Sequence, residues 1–92
     1  MIKDFRHKGL KKFYLTGTRA GIQPSHAPRL ARQLARLNSA ASPMDMNLPG
    51  WNLHPLKGDL AEKWAVNVNG NWRLIFKFDN GDAFGIDYDD YH

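Results

Sequence analysis

Trp64-Ala65-Val66-Asn67-Val68-Asn69-Gly70-Asn71-Trp72-Arg73-Leu74-Ile75-Phe76-Lys77-Phe78-Asp79 is the stretch that decides the fold. Trp64, Val66 and Val68 alternate with Ala65, Asn67 and Asn69, which is the period of a half-buried strand. Asn69-Gly70 is a hairpin turn signal. Beyond it Trp72, Leu74, Phe76 and Phe78 point one way, and Arg73, Ile75 and Lys77 the other. Asp79-Asn80-Gly81-Asp82 predicts a second tight turn, after which Phe84, Ile86 and Tyr88 continue the alternation into a final strand. A one-residue slip would expose every aromatic, so the register is fixed. That parity drives Arg73 onto the open face of the sheet.

Working outward, Trp51–His54 is a candidate strand and Pro55-Leu56-Lys57-Gly58-Asp59 a turn. Ala27, Leu30, Ala31, Leu34, Leu37 and Ala41 repeat at the helical period, with Ser25 as a possible N-cap and Pro28 tolerable in the first turn. Ser42-Pro43 ends this helix. Arg29, Arg32 and Arg36 share another face, most simply a solvated one, with RNA or a protein partner as the other reading. Leu10, Phe13 and Tyr14 predict an earlier helix over His7–Thr16, stopped by Gly17. Ile2–Phe5 can be a short first strand. The order is strand, two helices, then an antiparallel meander. It predicts an α+β fold with the helices on one face of the sheet. The 92 residues have room for one core, so residues 1–92 read as a single domain.

Composition narrows the function. Cysteine is absent, which excludes disulfides and thiolate zinc sites. No apolar run approaches the roughly 20 residues needed to span a bilayer, and the opening residues lack the apolar stretch of a secretory leader. The cytoplasm is therefore the expected compartment, with no membrane partner. Net charge is +4 with a pI near 9.6, so polyanions are the expected partners. The charge is unevenly spread. Residues 1–36 carry nine Lys and Arg against the single acid Asp4, whereas residues 79–92 hold five Asp and no Lys or Arg.

Three clusters remain once the core is assigned: His54-Pro55-Leu56-Lys57-Gly58-Asp59, Asn71-Trp72-Arg73, and Asp87-Tyr88-Asp89-Asp90-Tyr91-His92. Cleaving RNA without a metal requires a base for the 2′-OH, an acid for the departing 5′-oxygen, cations for the phosphorane and a group that aligns the base. Histidine suits proton transfer near neutrality, arginine the oxyanion and tyrosine the stacking. His54, His92, Arg73, Lys57 and Tyr91 would make a complete set. Each also has an ordinary reading. His54 before a proline can be a turn residue, Lys57-Gly58-Asp59 a solvated turn, and His92 a frayed end. His54, Asp90 and His92 are legal metal ligands, yet their spacing matches no metal motif, so no metal or other cofactor is expected. There is no glycine-rich phosphate loop and no identifiable Ser/His/Asp arrangement.

Taken together, these clusters resemble the HigB branch of the RelE toxin superfamily over nearly the whole chain. The resemblance is carried by Ile2-Lys3-Asp4-Phe5-Arg6-His7-Lys8-Gly9-Leu10, by Leu53-His54-Pro55-Leu56-Lys57-Gly58-Asp59, by Asn71-Trp72-Arg73 and by the ending Asp82-Ala83-Phe84 through Asp89-Asp90-Tyr91-His92. It implies a compact α+β toxin that cuts mRNA in the ribosomal decoding site and is neutralised by a HigA-like helix-turn-helix antitoxin. Operator DNA is then contacted indirectly, through the toxin–antitoxin complex. By position it implies that His54, Asp90, Tyr91 and His92 are catalytic or RNA-positioning, and that Arg73 and Lys57 are cationic contacts. One departure stands out. Relatives often place a further Arg on the strand before Asn71, where this chain has the neutral Asn67 and Asn69. Phosphate clamping then leans on Arg73 and Lys57, and on Lys63.

Two other classes fit the resemblance: a non-catalytic toxin that binds DNA gyrase, and an inert module that binds only antitoxin or operator. A pure binder would not need His54, Tyr91 and His92 together. The cationic helical half suits ribosomal RNA, with binding that weakens steeply as salt is added. The acidic tail repels phosphate but favours the imidazolium form of His92, which would make that ring a better acid. His92→Ala and His92→Gln are therefore expected to lose cutting of ribosome-bound mRNA. Near wild-type cutting by either variant rejects the acid role.

Overall fold

The computed structural model describes residues 1–58 and 62–90. Helix α1 spans Lys8–Thr16 and α2 spans Ala27–Ser39. Four strands follow: β1 (His54–Pro55), β2 (Trp64–Asn69), β3 (Trp72–Asp79) and β4 (Asp82–Asp90). They form an antiparallel sheet in the order β1-β2-β3-β4, a meander as the sequence predicts. Among the described residues no helix is long and apolar enough to cross a membrane.

Local chemistry sets the helix ends. The His7 ring Nδ1 accepts the Leu10 N–H at 2.9 Å, capping the start of α1, and Gly17 closes its end in the left-handed region. Ser25 does not cap α2. It lies inside a short 3-10 turn, Pro24–His26, that runs straight into the helix, so the helix inherits a backbone already turning. α2 stops at Ser39, before the predicted Ala41, and Ser42-Pro43 instead opens a second 3-10 turn through a capping box with Asp45.

The core is the expected two-layer interface. Leu10, Leu30, Leu34 and Leu37 meet Val66, Leu74, Phe76 and Ile86, and Met46 and Trp51 fill the margin. Full burial of each such side chain contributes about 1.5–3 kcal/mol. Gln33 shares the apolar stripe of α2 and is fully buried; Ala31, counted on that stripe from the sequence, is exposed.

Three further expectations change in detail. Ile2–Phe5 makes only two parallel bridges, Ile2 to Ala83 and Phe5 to Ile86. Between them the Asp4 carboxylate accepts the Gly85 N–H, which takes the donor a continuous ladder would use. The first hairpin turns on Gly70-Asn71, one residue later than the Asn69-Gly70 signal, with Gly70 at φ +57° and a bulge between Asn67 and Asn69. In β4 a register shift at Gly85 (φ +61°) opposes Ala83 to Phe78 and Phe84 to Lys77. Ala83 thereby enters the core, and Phe84 leaves the row of Ile86 and Tyr88 for the opposite face.

One close approach fixes how α1 meets the loop before α2. A Cβ added at Gly9 would lie 2.6 Å from the Gly21 carbonyl oxygen, where backbone cannot yield cheaply. Overpacking of this kind costs about 1–3 kcal/mol, against the ~1 kcal/mol alanine gains over glycine in a helix. Gly9→Ala is therefore expected to lower the urea midpoint of unfolding; an unchanged or raised midpoint would show that this contact does not constrain the fold.

Candidate functional site

Positioning starts at the Asn67 peptide, beside the β2 bulge. Its carbonyl accepts Gln33 Nε2 at 2.7 Å and Arg29 Nε at 3.3 Å, and its N–H donates to the Trp51 carbonyl at 2.7 Å. Arg29 Nη2 also reaches the Gly50 carbonyl at 2.7 Å, and Arg36 Nε reaches the Asp45 carbonyl at 2.8 Å. Two of the three arginines read as a solvated face thus tie α2 to the segment that leads into β1.

The predicted Trp51–His54 strand is interrupted by Asn52, held in the left-handed region at φ +50°. Asparagine tolerates this conformation better than most residues. Beyond the kink, the His54 ring Nδ1 lies 2.7 Å from the Asn52 carbonyl oxygen. A carbonyl can only accept, so Nδ1 carries the proton and Nε2 is the basic nitrogen of the neutral ring. Asn52 was not singled out from the sequence, because a backbone kink two residues away has no motif.

His54 pairs with Ala65, which pairs with Ile75, which pairs with Asp87. Arg73 lies in the next row, between Asn67 and Asp89. By alternation His54 and Arg73 share the sheet face that turns away from the helices. Ideal strand spacing and rise separate their Cα atoms by about 12 Å. Arg73 is less openly presented than its parity suggests. Its side chain is only 13% exposed, and its Nε donates to Asp89 Oδ1 at 2.9 Å. That bond holds the guanidinium against the sheet and partly offsets its charge. Asp89 is a second participant that only the register reveals.

The remaining candidates divide. Lys57 is exposed just past β1. Lys63 is half-buried, and its carbonyl accepts the Leu56 N–H at 2.9 Å. Asp90 pairs with Trp72, so alternation sets it on the face opposite Arg73. Tyr91 and His92 lie outside the described residues. Among the described residues no group of three His, Cys, Asp or Glu could hold a metal ion.

Over residues 3–92 the chain matches the family described as the RelE-like toxin of type II toxin-antitoxin system HigB. It is 40% identical over 92 residues to the endoribonuclease HigB of Proteus vulgaris, covering 100% of both chains. The chain belongs to the HigB-like toxins. The toxin HigB-1 of Vibrio cholerae serotype O1 is 33% identical over 85 residues, with 90% of each chain covered. A HigB-like toxin of a type II system is one member of a pair, the other being its antitoxin. The four-stranded sheet with its two helices is the RelE-like α+β arrangement.

One titratable cluster of this HigB-like chain escaped sequence reasoning. His26, 5% exposed, places Nδ1 2.6 Å from the Tyr88 hydroxyl, which also accepts the Gln23 N–H at 3.3 Å. Trp72 stacks on Tyr88 at 4.6 Å, and the His7 and His26 rings meet Tyr88 edge-on. Burial lowers the His26 pKa below 6.5 and raises that of Tyr88 above 10.0, the latter opposed by the Gln23 N–H. A base whose pKa falls on folding binds protons more readily in the unfolded chain. His26 therefore costs nothing above pH 6.5, and stability is lost as pH falls from there toward the folded pKa. Thermal melts of His26→Gln are expected to show a shallower decline below pH 6.5 than wild type; parallel declines would assign the acid sensitivity elsewhere.

Proposed function

We propose that this chain is an endoribonuclease that cuts mRNA on the ribosome without a metal and is held inactive by its antitoxin, a HigA-like helix-turn-helix protein. The observation that carries this reading is the His54 ring, with its proton fixed on Nδ1 by the Asn52 carbonyl, on the same sheet face as Arg73. Family membership supports it, as does the name of the Proteus vulgaris relative.

In the proposed reaction His54 Nε2 takes the proton of the 2′-OH. The freed oxygen attacks the adjacent phosphorus, and the bond to the 5′-oxygen breaks. His92, with Asp90 as its positioning partner, gives its proton to that oxygen. The products are a 2′,3′-cyclic phosphate and a 5′-hydroxyl. The Asn52 carbonyl continues to accept Nδ1–H when the ring becomes imidazolium, so the base needs no reorientation during turnover. Arg73, steadied by Asp89, stabilises the phosphorane oxygens; Lys57 holds a flanking phosphate and Lys63 one farther along the strand, and Tyr91 aligns a base. No step needs a metal.

Expression of wild type, His54→Ala and a chain lacking Asp90-Tyr91-His92, with mRNA ends mapped in each culture, tests the reading. Wild type is expected to give codon-phased cuts that end in cyclic phosphate, and both variants to lose about 10²–10⁴-fold of the cutting. Growth arrest by wild type with no mRNA cuts would instead favour a non-catalytic target such as DNA gyrase. Wild-type cutting by His54→Ala would remove the proposed base.

A further inference from the structure

Toward the opposite end of the same sheet face lies a concavity of about 350 Å³, lined by Arg6, Lys63, Lys77 and Phe84 together with Asp4 and Gly85. It adjoins a larger one of about 650 Å³ that shares Lys77 and Phe84 and is bordered by Glu62 and Asp79. The family reading assigns no role to Lys77 or Phe84.

Four observations bear on what this hollow takes. The β2–β3 pairing ends at Trp64 and Phe76; one more residue of the same alignment carries Lys63 toward Lys77, and both line this one hollow. Like charges facing each other across strands are destabilising, and among the described residues neither lysine makes an ion pair. The other charges lining the smaller hollow are already engaged. Arg6 Nε sits 3.8 Å from Asp87 Oδ2, and the Asp4 carboxylate accepts the Gly85 N–H. The β4 register shift brings a half-buried aromatic, Phe84, opposite Lys77 on this face. Finally, the lysine row lies four residues along β3 from Arg73, about 14 Å by strand rise, on the same surface.

Two ammonium groups outside any ion pair among the described residues, beside an aromatic ring, match the parts of a nucleotide: a phosphate for the lysines, a base for the ring. We propose that Lys63, Lys77 and Phe84 form a nucleotide subsite for single-stranded RNA on the side of the His54 row away from Arg73, with the lysines on a phosphate and Phe84 stacked on a base. The proposal rests on the reading that this face receives RNA. It also answers the departure in β2: where Asn67 and Asn69 are neutral, cationic grip is supplied farther along the sheet.

The test uses a fluorescein-labelled 2′-O-methyl oligoribonucleotide, which cannot be cut, titrated against the full chain by anisotropy over a salt series. Lys63→Ser with Lys77→Ser is expected to weaken binding tenfold or more and to reduce the slope of log K against log salt by about 0.7 or more. Lys11→Ser with Lys12→Ser, which removes the same charge from α1, is expected to change binding much less. Phe84→Leu should cost at least about fivefold, and Phe84→Trp should restore it. Equal losses from the two lysine pairs would overturn the subsite. Phe84→Leu that folds normally and binds like wild type would overturn the stacking. The outcome is separable from that of the nuclease reading. A wild-type chain that binds the probe through the lysines yet never cuts mRNA sinks the nuclease and leaves the subsite. One that cuts mRNA while Lys63→Ser/Lys77→Ser binds normally sinks only the subsite.

Discussion

The Asn67 peptide is the joint through which the helical layer governs the open face. Its carbonyl is held by Gln33 from within the core and by Arg29 from the margin, and its N–H holds Trp51. A buried N–H donor is costly unless bonded, and Gln33 Nε2 meets the Asn67 carbonyl while its Oε1 has no partner among the described residues, so this bond favours one placement of β2. With β2 fixed, the Gly50–Trp51 backbone is fixed, Asn52 turns into the left-handed region, and its carbonyl sets the His54 tautomer. Placement of the His54 ring therefore depends on a chain of contacts that begins on a helix on the other side of the sheet.

The sheet itself separates two kinds of chemistry. Toward the helices it presents Val66, Leu74, Phe76, Ile86 and Tyr88, and dry packing holds the domain together. On the other side, alternation sets His54, Lys63, Arg73, Lys77, Asp87 and Asp89 around the buried Ala65 and Ile75. Cations and anions are not mixed at random there. Asp87 and Asp89 come from β4 and meet Arg6 and Arg73, whereas Lys63, just before β2, and Lys77 of β3 line one hollow. One end of the face is thus tempered in charge and geometrically constrained, as suits proton transfer. The other end gathers Lys63, Lys77 and Phe84 around a hollow, as suits holding a strand.

Much of this organisation is legible in the residues. The alternation of Trp72, Leu74, Phe76 and Phe78 gives the strand, its buried side and the side of Arg73. The stripe Leu30, Leu34, Leu37 gives α2, and Gly17 gives the end of α1. Exceptions arise where a side chain or an extra residue intervenes in a local rule. Asp4 takes a ladder donor, so Ile2–Phe5 is not a strand; the shift at Gly85 reverses the side of Phe84; Arg29 and Arg36 find carbonyls where a helical wheel predicts solvent.

By itself the sequence determined the layers, the polarity of each face and the chemical types gathered near the ends of the strands, because periodicity and side-chain chemistry are local properties. Tertiary structure alone decided that Asp89 faces Arg73, that the proton of His54 sits on Nδ1, that His26 is buried against Tyr88 and that Lys63 and Lys77 line one hollow. Each of these follows from register or from a contact between residues distant in the chain. Register is set jointly by bulges, turns and the packed helices, so no single stretch of sequence contains it.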